Sequence, residues 1–363
     1  MRFIISGGGT GGHIFPAIAI ANALKEIDKN VEILFVGAMG RMEMEKVPDA
    51  GYPIKGLRIS GLQRKLTLKN LSFPFKVIMS IVKAKNIVRE FQPHAAIGTG
   101  GYASGPLLYA ASRMNIPCLI QEQNAFPGIT NKLLAKRVNK VCVAYGGMEK
   151  YFSRDKIILS GNPVRQDILS LDGKRDEAMK FFGLDTQKKI LLVVGGSLGA
   201  RTINESIGSN LELLNKNNIQ VIWQTGKTYL ETAKHQFKNE YGWLGPFISK
   251  MDWAYAAADA VVSRAGAISL SELALVKKPC ILIPSPNVAE DHQTKNAMRL
   301  VNNDAALLVK DNEARQKLST EIITLMLDKQ KQIKLSENIY RMAYPAAAAT
   351  IAEAVMKLAT KSK

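Results

Sequence analysis

The residues best suited to chemistry lie in three glycine-rich segments, each between an apolar run and an amphipathic stretch: residues 6–13, 98–105 and 195–199. Glycine in a strand-to-helix turn lets the backbone approach a ligand closely and adopt a positive φ. The helix start beyond such a turn presents unpaired N–H groups and the positive end of the helix dipole, which together bind phosphate. Three such segments in one chain therefore predict a site for a phosphorylated ligand.

The first segment ends in a histidine, His13, at the predicted start of a helix. The helix dipole disfavours a protonated histidine there, which suits a general base; local hydrogen bonding is the other interpretation. The segment also fits the G-x-G-x-x-G spacing of dinucleotide-binding proteins, which place an acidic residue at the end of the second strand. Here that strand runs into Gly37, and the next acidic residue is Glu43, so a nicotinamide cofactor is not expected.

These segments belong to an alternation of apolar runs and amphipathic stretches. One series of predicted strands covers residues 2–5, 31–36, 95–97, 118–121 and 140–143; a second covers 189–194, 219–223, 260–262, 280–283 and 306–309. The predicted helices include residues 14–26, 104–114, 200–215, 268–276 and 291–302. Short buried strands that alternate with helices are typical of parallel sheets covered on both faces.

The alternation predicts an α/β protein with two Rossmann-like domains, residues 1–160 and 161–344, whose strand ends face a central cleft. A length of 363 residues is sufficient for two such cores. The alanine-rich segment from about residue 345 to 363 is predicted to form a last helix that packs back onto the first domain.

The net charge of +18 is distributed unevenly: residues 1–160 hold 22 Lys and Arg against 10 Asp and Glu. No acidic residue lies between Asp49 and Glu90, and residues 55–89 combine basic with apolar side chains. This combination favours contact with an anionic membrane surface, where each basic residue contributes about 1 kcal/mol. Ordinary core packing of residues 71–82 is the alternative. Nucleic acid is not expected, because no helix-turn-helix, zinc or RNP-like signature is present.

The location of the protein is predicted from three features. No apolar run is long enough to cross a bilayer, and the N-terminal residues run straight into glycines rather than forming a signal peptide. The three cysteines are expected to be buried, reduced thiols. We expect a peripheral protein on the cytoplasmic face of the cell membrane.

Seven short segments carry a family resemblance over about residues 4–300. They are GGTGGHIFP at 8–16, GGYASGP at 100–106, EQN at 122–124, GNPVR at 161–165, GGS at 195–197, SRAGA at 263–267 with SE at 271–272, and DHQTKNA at 291–297. As a set they closely resemble the MurG family of peptidoglycan N-acetylglucosaminyltransferases, which have the two-domain GT-B fold. Ala265 stands where serine is common and Leu198 where glutamine is common.

The resemblance implies transfer of N-acetylglucosamine from UDP-GlcNAc to lipid I, the undecaprenyl-diphospho-N-acetylmuramoyl-pentapeptide, with inversion at the anomeric carbon. No cofactor or metal is expected, and the chain contains no Asp-x-Asp pair of the kind that binds a divalent ion in many nucleotide-sugar enzymes. The alternatives are a UDP-GlcNAc 2-epimerase on the same fold and, from a different class, a charge-driven nucleic-acid-binding module.

On the donor side, the resemblance implies that Glu272 binds the ribose hydroxyls, because a carboxylate can accept two hydrogen bonds. The backbone of Ile248 would read the uracil edge. Ser197 and Arg165 would hold the diphosphate, while Gln293 and Asn124 would bind the sugar. The same pocket would be lined by Ala267, Ile268, Ser269, Leu270 and Ser271.

On the acceptor side, the N–H groups of Thr10, Gly11 and Gly12 would cradle the acceptor diphosphate. His13 would deprotonate the acceptor hydroxyl, with Glu122 as the rival base and Tyr102 orienting the acceptor.

Overall fold

The computed structural model describes residues 1–59, 73–196, 198–288 and 291–360. These divide into two compact units. One comprises Met1–Arg165 with the C-terminal segment from Ala346, and the other spans Gln166–Pro345.

The first unit is built on a parallel sheet. Its strands are β1 (Arg2–Gly7), β2 (Glu32–Ala38), β3 (Ile54–Leu57), β4 (Ala95–Gly100), β5 (Cys118–Glu122), β6 (Lys140–Val143) and β7 (Ile157–Leu159). They lie in the order β3-β2-β1-β4-β5-β6-β7. Its first helices are α1 (Gly11–Ile27), α2 (Glu43–Asp49), α3 (Phe73–Phe91), α4 (Ser104–Arg113) and α5 (Ile129–Ala135).

The second unit has a six-stranded parallel sheet. Its strands are β8 (Lys189–Val194), β9 (Ile219–Gln224), β10 (Gly242–Gly245), β11 (Ala260–Ser263), β12 (Cys280–Leu282) and β13 (Leu307–Leu308), in the order β10-β9-β8-β11-β12-β13. Its helices are α6 (Arg175–Phe182), α7 (Arg201–Gly208), α8 (Leu211–Lys216), α9 (Leu230–Lys234), α10 (Met251–Ala257), α11 (Ala267–Leu275), α12 (His292–Val301), α13 (Ala314–Leu327) and α14 (Lys329–Tyr340).

Alternate residues of the first sheet enter two separate cores. Ile4 and Val36 pack with residues of α3 and α4, whereas Phe3 and Phe35 pack with α1. The last helix, α15 (Ala347–Thr360), completes the second of these cores, where Ile351 is fully buried. Both faces of the sheet are therefore covered, which explains why its central strands are apolar without alternation.

The prediction of two parallel-sheet α/β domains is confirmed. The sequence reasoning missed β3, β7 and β10, which lie at sheet edges, where half-buried side chains weaken the apolar pattern. The single helix predicted over residues 200–215 is wrong. It divides into α7 and α8 around Ser209–Asn210, because Gly208 is a poor helix former and Asn210 adopts a non-helical backbone.

The strand orders locate the ligand-binding edge of each unit. In parallel α/β sheets, ligands bind beyond the carboxyl ends of the strands where the strand order reverses. This switch point lies between β1 and β4 in the first unit and between β8 and β11 in the second. Among the described residues, no helix has the length and apolar character that a membrane span requires.

Candidate active site

The glycine loops that follow β1 and β4 pack directly on each other. The backbone N–H of Gly8 donates to the carbonyl of Gly100 at 3.2 Å. A Cβ on Gly101 would collide with the carbonyl of Gly8, and Gly101 has a φ of +90°. Glycine at residue 101 is therefore required by both space and backbone conformation. The two loops form one surface at the first switch point.

A buried carboxylate holds this surface in place. Glu43, in the first turn of α2, is fully buried. Its Oε2 accepts a hydrogen bond from the N–H of Gly9 at 2.8 Å, and its Oε1 accepts one from the N–H of Ala38 at 3.0 Å. A Cβ on Gly8 would overlap the carboxylate. Glu43 thus joins the first glycine loop to the end of β2, a role that the sequence reasoning missed.

The loop leads into α1, whose N-cap residue is Thr10. Thr10 and Gly12 are exposed and Gly11 is half-buried, and the carbonyl of Thr10 accepts from the N–H groups of His13 and Ile14. The first N–H groups of a helix have no intrahelical partner. With no acidic residue in its first turn, this helix start is suited to bind an anion.

His13 lies in the first turn of α1 and is half-buried. Its Nδ1 is 3.1 Å from Oε1 of Gln123, and its backbone carbonyl accepts from the Thr99 hydroxyl at 2.7 Å. Burial lowers the pKa of His13 below its ordinary value of 6.5, outweighing the nearby carboxylate of Glu122, which raises it. The ring is therefore neutral at pH 7 and can accept a proton.

Glu122, the predicted rival base, is buried at the end of β5 and already has several donors. Its Oε1 accepts from both the backbone and the side chain of Asn124, at 3.0 and 3.2 Å. Its Oε2 accepts from the Gly128 N–H at 3.1 Å and from the Asn131 amide at 2.8 Å. This carboxylate holds the loop that carries Asn124 in place.

Tyr102 lies near the first glycine loop, and Arg165 lies against α1, the helix that follows this loop. Tyr102 is exposed, close to Gly9, and the Arg41 guanidinium lies 5.8 Å from the centre of its ring. Arg165 is half-buried, with its guanidinium 5.5 Å from the ring of Phe15 in α1. Arg165 therefore belongs to the first unit.

In the second unit, the loop after β8 packs against the loop after β9. Gly199 has a φ of +79°, and a Cβ there would collide with the carbonyl of Thr225. The Gln224 amide donates to the carbonyl of Gly196 at 3.0 Å. Ser197, the predicted diphosphate ligand, lies outside the described residues.

Glu272 lies on α11, just after the second switch point, and is buried. Its Oε2 accepts from the Tyr255 hydroxyl at 3.1 Å. In the first turns of this helix, Ile268, Ser269 and Ser271 are half-buried. Ala267 and Leu270 are buried.

Two further residues predicted to bind UDP-GlcNAc already use one polar group each in a hydrogen bond within the protein. The N–H of the buried Ile248 donates to Oε1 of Gln224 at 2.9 Å. Gln293, in α12, accepts from the Ser285 N–H at 2.8 Å through its Oε1, which directs its NH₂ group to a different partner.

The predicted residues therefore fall into two groups. The first unit holds Thr10, Gly11, Gly12, His13, Tyr102, Glu122, Asn124 and Arg165 around the ends of β1, β4 and β5. The second holds Ile248, residues 267–272 and Gln293 around the ends of its strands.

The basic and apolar segment at residues 55–89 is described in part, since residues 60–72 lie outside the described ranges. Within α3, Val77, Ala84, Ile87 and Val88 pack on the core. Four large apolar side chains on the same helix are exposed: Phe75, Ile78, Met79 and Val82. Lys76, Lys83 and Lys85 are exposed with them. The N-terminal half of α3 therefore presents an apolar surface among basic side chains; we call it the α3 surface.

Residues 3–143 match the glycosyltransferase family 28 N-terminal domain, and residues 190–353 match the glycosyltransferase family 28 C-terminal domain. Over 362 residues, the chain is 55% identical to the UDP-N-acetylglucosamine--N-acetylmuramyl-(pentapeptide) pyrophosphoryl-undecaprenol N-acetylglucosamine transferase of Flavobacterium psychrophilum, covering 100% of this chain and 99% of that protein.

Solved structures also indicate similarity to the MurG family. The fold is similar to that of Acinetobacter baumannii MurG, with 27% identity, a TM-score of 0.76 and coverage of 98% of this chain and 99% of that chain. A UDP-GlcNAc 2-epimerase from Neisseria meningitidis has a TM-score of 0.66 at 14% identity, covering 99% and 100%, which shows the fold alone. The resemblance to the MurG family is confirmed. The chain belongs to glycosyltransferase family 28, in the group of UDP-N-acetylglucosamine--N-acetylmuramyl-(pentapeptide) pyrophosphoryl-undecaprenol N-acetylglucosamine transferases.

Proposed function

We propose that the chain transfers N-acetylglucosamine from UDP-GlcNAc to the lipid-linked N-acetylmuramyl-pentapeptide acceptor, lipid I. Its full-length relatives are named for this reaction. Within the chain, the observation that carries the proposal is a neutral, half-buried His13 beside a helix start suited to an anion. That pairing suits an acceptor whose reacting hydroxyl is attached to a diphosphate-bearing sugar.

The second unit is proposed to bind the donor. The Glu272 carboxylate, oriented by the Tyr255 hydroxyl, would accept from the ribose hydroxyls. Because the N–H of Ile248 donates to Gln224, the backbone carbonyl of Ile248 is the group that would accept from the uracil N3–H. The NH₂ group of Gln293 would donate to a sugar hydroxyl, because its oxygen already accepts from Ser285.

The first unit is proposed to bind the acceptor and to carry the base. N–H groups of Thr10, Gly11 and Gly12 would bind the acceptor diphosphate. His13 would take the proton of the acceptor hydroxyl as its oxygen bonds to C1 of the donor sugar. The bond from C1 to the diphosphate oxygen breaks, and UDP leaves with that electron pair. One displacement of this kind inverts the configuration at C1.

Glu122 is proposed to position the sugar-binding Asn124 rather than to act as the base. Both of its oxygens accept from groups of its own loop, and moving a proton onto either would weaken two hydrogen bonds. Arg165 is proposed to stabilise diphosphate charge from the first unit, because its contact with Phe15 places it beside the start of α1.

We also propose that the α3 surface contacts the cytoplasmic face of an anionic membrane. Exposed apolar side chains next to lysines combine the two attractions that hold a protein at such an interface, apolar burial and charge. On α5, Ile129 and Leu133 are also exposed beside Lys132, and α4 contacts both α3 and α5. A membrane location would place the site close to its lipid-linked acceptor.

The test is UDP release by purified protein with UDP-GlcNAc and a soluble lipid I analogue. His13→Ala should lower kcat by about 10²–10⁴-fold, the usual contribution of a general base, with the KM for UDP-GlcNAc unchanged. His235→Ala, at an exposed position, is the matched control. Release that is equally fast without the acceptor, or accumulation of the 2-epimerised sugar, would contradict the transferase proposal.

A further inference from the structure

A chain of three buried amide side chains runs from the end of β5 to the segment after β7. Its members are Gln123, Gln121 and Asn162, each at most 2% exposed. Gln123 also contacts His13. Buried amides must satisfy their donors and acceptors locally, so the direction of each hydrogen bond in this chain can be worked out.

The direction is set at the Asn162 end by a backbone carbonyl. The group of Asn162 that lies 3.1 Å from the carbonyl of Gln123 must be its NH₂, because a carbonyl only accepts. Its oxygen is then the acceptor for the Gln121 amide at 2.8 Å. The Gln121 side-chain oxygen in turn accepts from the Gln123 amide.

Two further carbonyls fix the orientation of Gln123 independently. Its Nε2 lies 2.6 Å from the carbonyl of Thr99 and 3.3 Å from the carbonyl of Gln121. A flipped Gln123 would bring its oxygen against three acceptor oxygens at once, so the NH₂ group must lie on this side. Oε1 of Gln123 therefore faces Nδ1 of His13.

This orientation decides which nitrogen of His13 carries the proton. An amide oxygen accepts only, so Nδ1 must be the donor at 3.1 Å. In the neutral ring, Nε2 then holds the lone pair. We propose that Gln123 is a positioning residue that fixes His13 in the Nδ1-protonated tautomer and makes Nε2 the proton acceptor. The inference rests on the proposed role of His13 as the base.

Two neighbours hold the ring at this contact. A Cβ on Gly100 would be 2.7 Å from both Cε1 and Nδ1 of His13, so the ring lies closely against the Gly100 backbone. The Thr99 hydroxyl fixes the His13 backbone through its carbonyl. An amide at residue 123 orients the ring without adding a negative charge, whereas a carboxylate there would stabilise the protonated imidazolium.

The tautomer can be measured without substrate, in the full-length protein labelled with ¹⁵N-histidine. Ring nitrogens with and without a proton resonate in different ranges, and the chain has four histidines, which single substitutions can assign. His94 is an internal reference with the opposite tautomer. The Arg2 N–H donates to its Nδ1 at 3.0 Å, so His94 must carry its proton on Nε2.

At a pH where both rings are neutral, we expect His13 to carry its proton on Nδ1 and His94 on Nε2. Gln123→Met, which removes the side-chain acceptor, should move the His13 proton to Nε2 and lower kcat at least about tenfold, because a catalytic histidine in the wrong tautomer cannot accept the proton at Nε2. The KM for UDP-GlcNAc should not change. Gln220→Met, at a buried glutamine of the second unit, is the control for loss of a buried amide.

A wild-type His13 that carries its proton on Nε2 would overturn the proposal, and this result needs no variant to fold. An unchanged tautomer and kcat in Gln123→Met would overturn it as well. A different result would show that His13 is not the base while leaving the tautomer proposal intact. In that case His13→Ala would keep the wild-type kcat, and His13 of the wild-type protein would still carry its proton on Nδ1.

Discussion

Glu43 accepts hydrogen bonds from the first glycine loop and from the end of β2, and replacing it should affect stability and pH dependence together. The variant Glu43→Gln keeps the shape of the side chain. One of its two acceptor oxygens becomes an NH₂ group facing a backbone N–H, either that of Gly9 or that of Ala38. One hydrogen bond to a carboxylate is lost, and two donors are left facing each other in a buried position.

The magnitude follows from these two contacts. A hydrogen bond to a charged group contributes about 1.5–3 kcal/mol, and an unpaired buried donor costs about 1–3 kcal/mol. Because the two effects overlap, we expect the free energy of unfolding to fall by roughly 2–4 kcal/mol, which a stable domain survives. The Glu43 charge also raises the pKa of His13. Its removal should therefore move the acidic limb of the pH profile of kcat/KM to lower pH.

Urea unfolding and the pH profile of UDP release measure both effects. The matched control is Glu45→Gln, because Glu45 lies on the same helix with its side chain 75% exposed. It should change the free energy of unfolding by no more than about 0.5 kcal/mol. Our reasoning would be refuted if Glu43→Gln were as stable as this control, or if its acidic limb moved to higher pH.

Four further outcomes are expected. Burial lowers the pKa of His13 in the folded protein, so below pH 6.5 the unfolded chain binds more protons than the folded chain, and the free energy of unfolding should decrease as the pH falls through that value. His13→Gln should make the free energy of unfolding less dependent on pH in this range; an unchanged dependence would contradict the lowered pKa of His13. Glu122→Gln should destabilise the protein but retain an acidic limb in its rate profile; loss of the limb would make Glu122 the base. Tyr255→Phe removes the hydroxyl that donates a hydrogen bond to Glu272 and should raise the KM for UDP-GlcNAc about threefold to tenfold. An unchanged KM would argue against a role for this pair in binding UDP-GlcNAc. Phe75→Asp with Met79→Asp should abolish binding to anionic vesicles while activity on a soluble acceptor is retained. The control is Ile333→Asp with Tyr340→Asp, exposed in the second unit, and vesicle binding that survives in the α3 variant would reject that surface.

The sequence predicted the parts of the fold in which burial leaves a strong pattern. Central strands such as β1 and β8 are continuous apolar runs, and the glycine loops after them could be placed at strand ends from spacing alone. The edge strand β10 was missed, because its residues are mostly half-buried. The break near Gly208 was missed because the apolar periodicity continues across it.

The residues that support the site were harder to find. Glu43 lies six residues beyond Gly37 in the chain, but α2 returns its carboxylate to the first glycine loop. Gln123 stands inside a recognisable motif, between Glu122 and Asn124. Its role depends on the direction of hydrogen bonds to residues as distant in the chain as Asn162, and residue types alone do not carry that information.

The packing of α15 on α1 has a consequence for how the protein is made. Ile351 and Val355 are fully buried in the core that also holds Ile14 and Leu24. Burying each such side chain is worth about 1.5–3 kcal/mol, and this core is incomplete until more than 340 residues have been synthesised. At about 5–20 residues per second, the first unit waits many seconds on the ribosome with an apolar groove uncovered. The second unit, continuous in sequence, can complete its fold before the first.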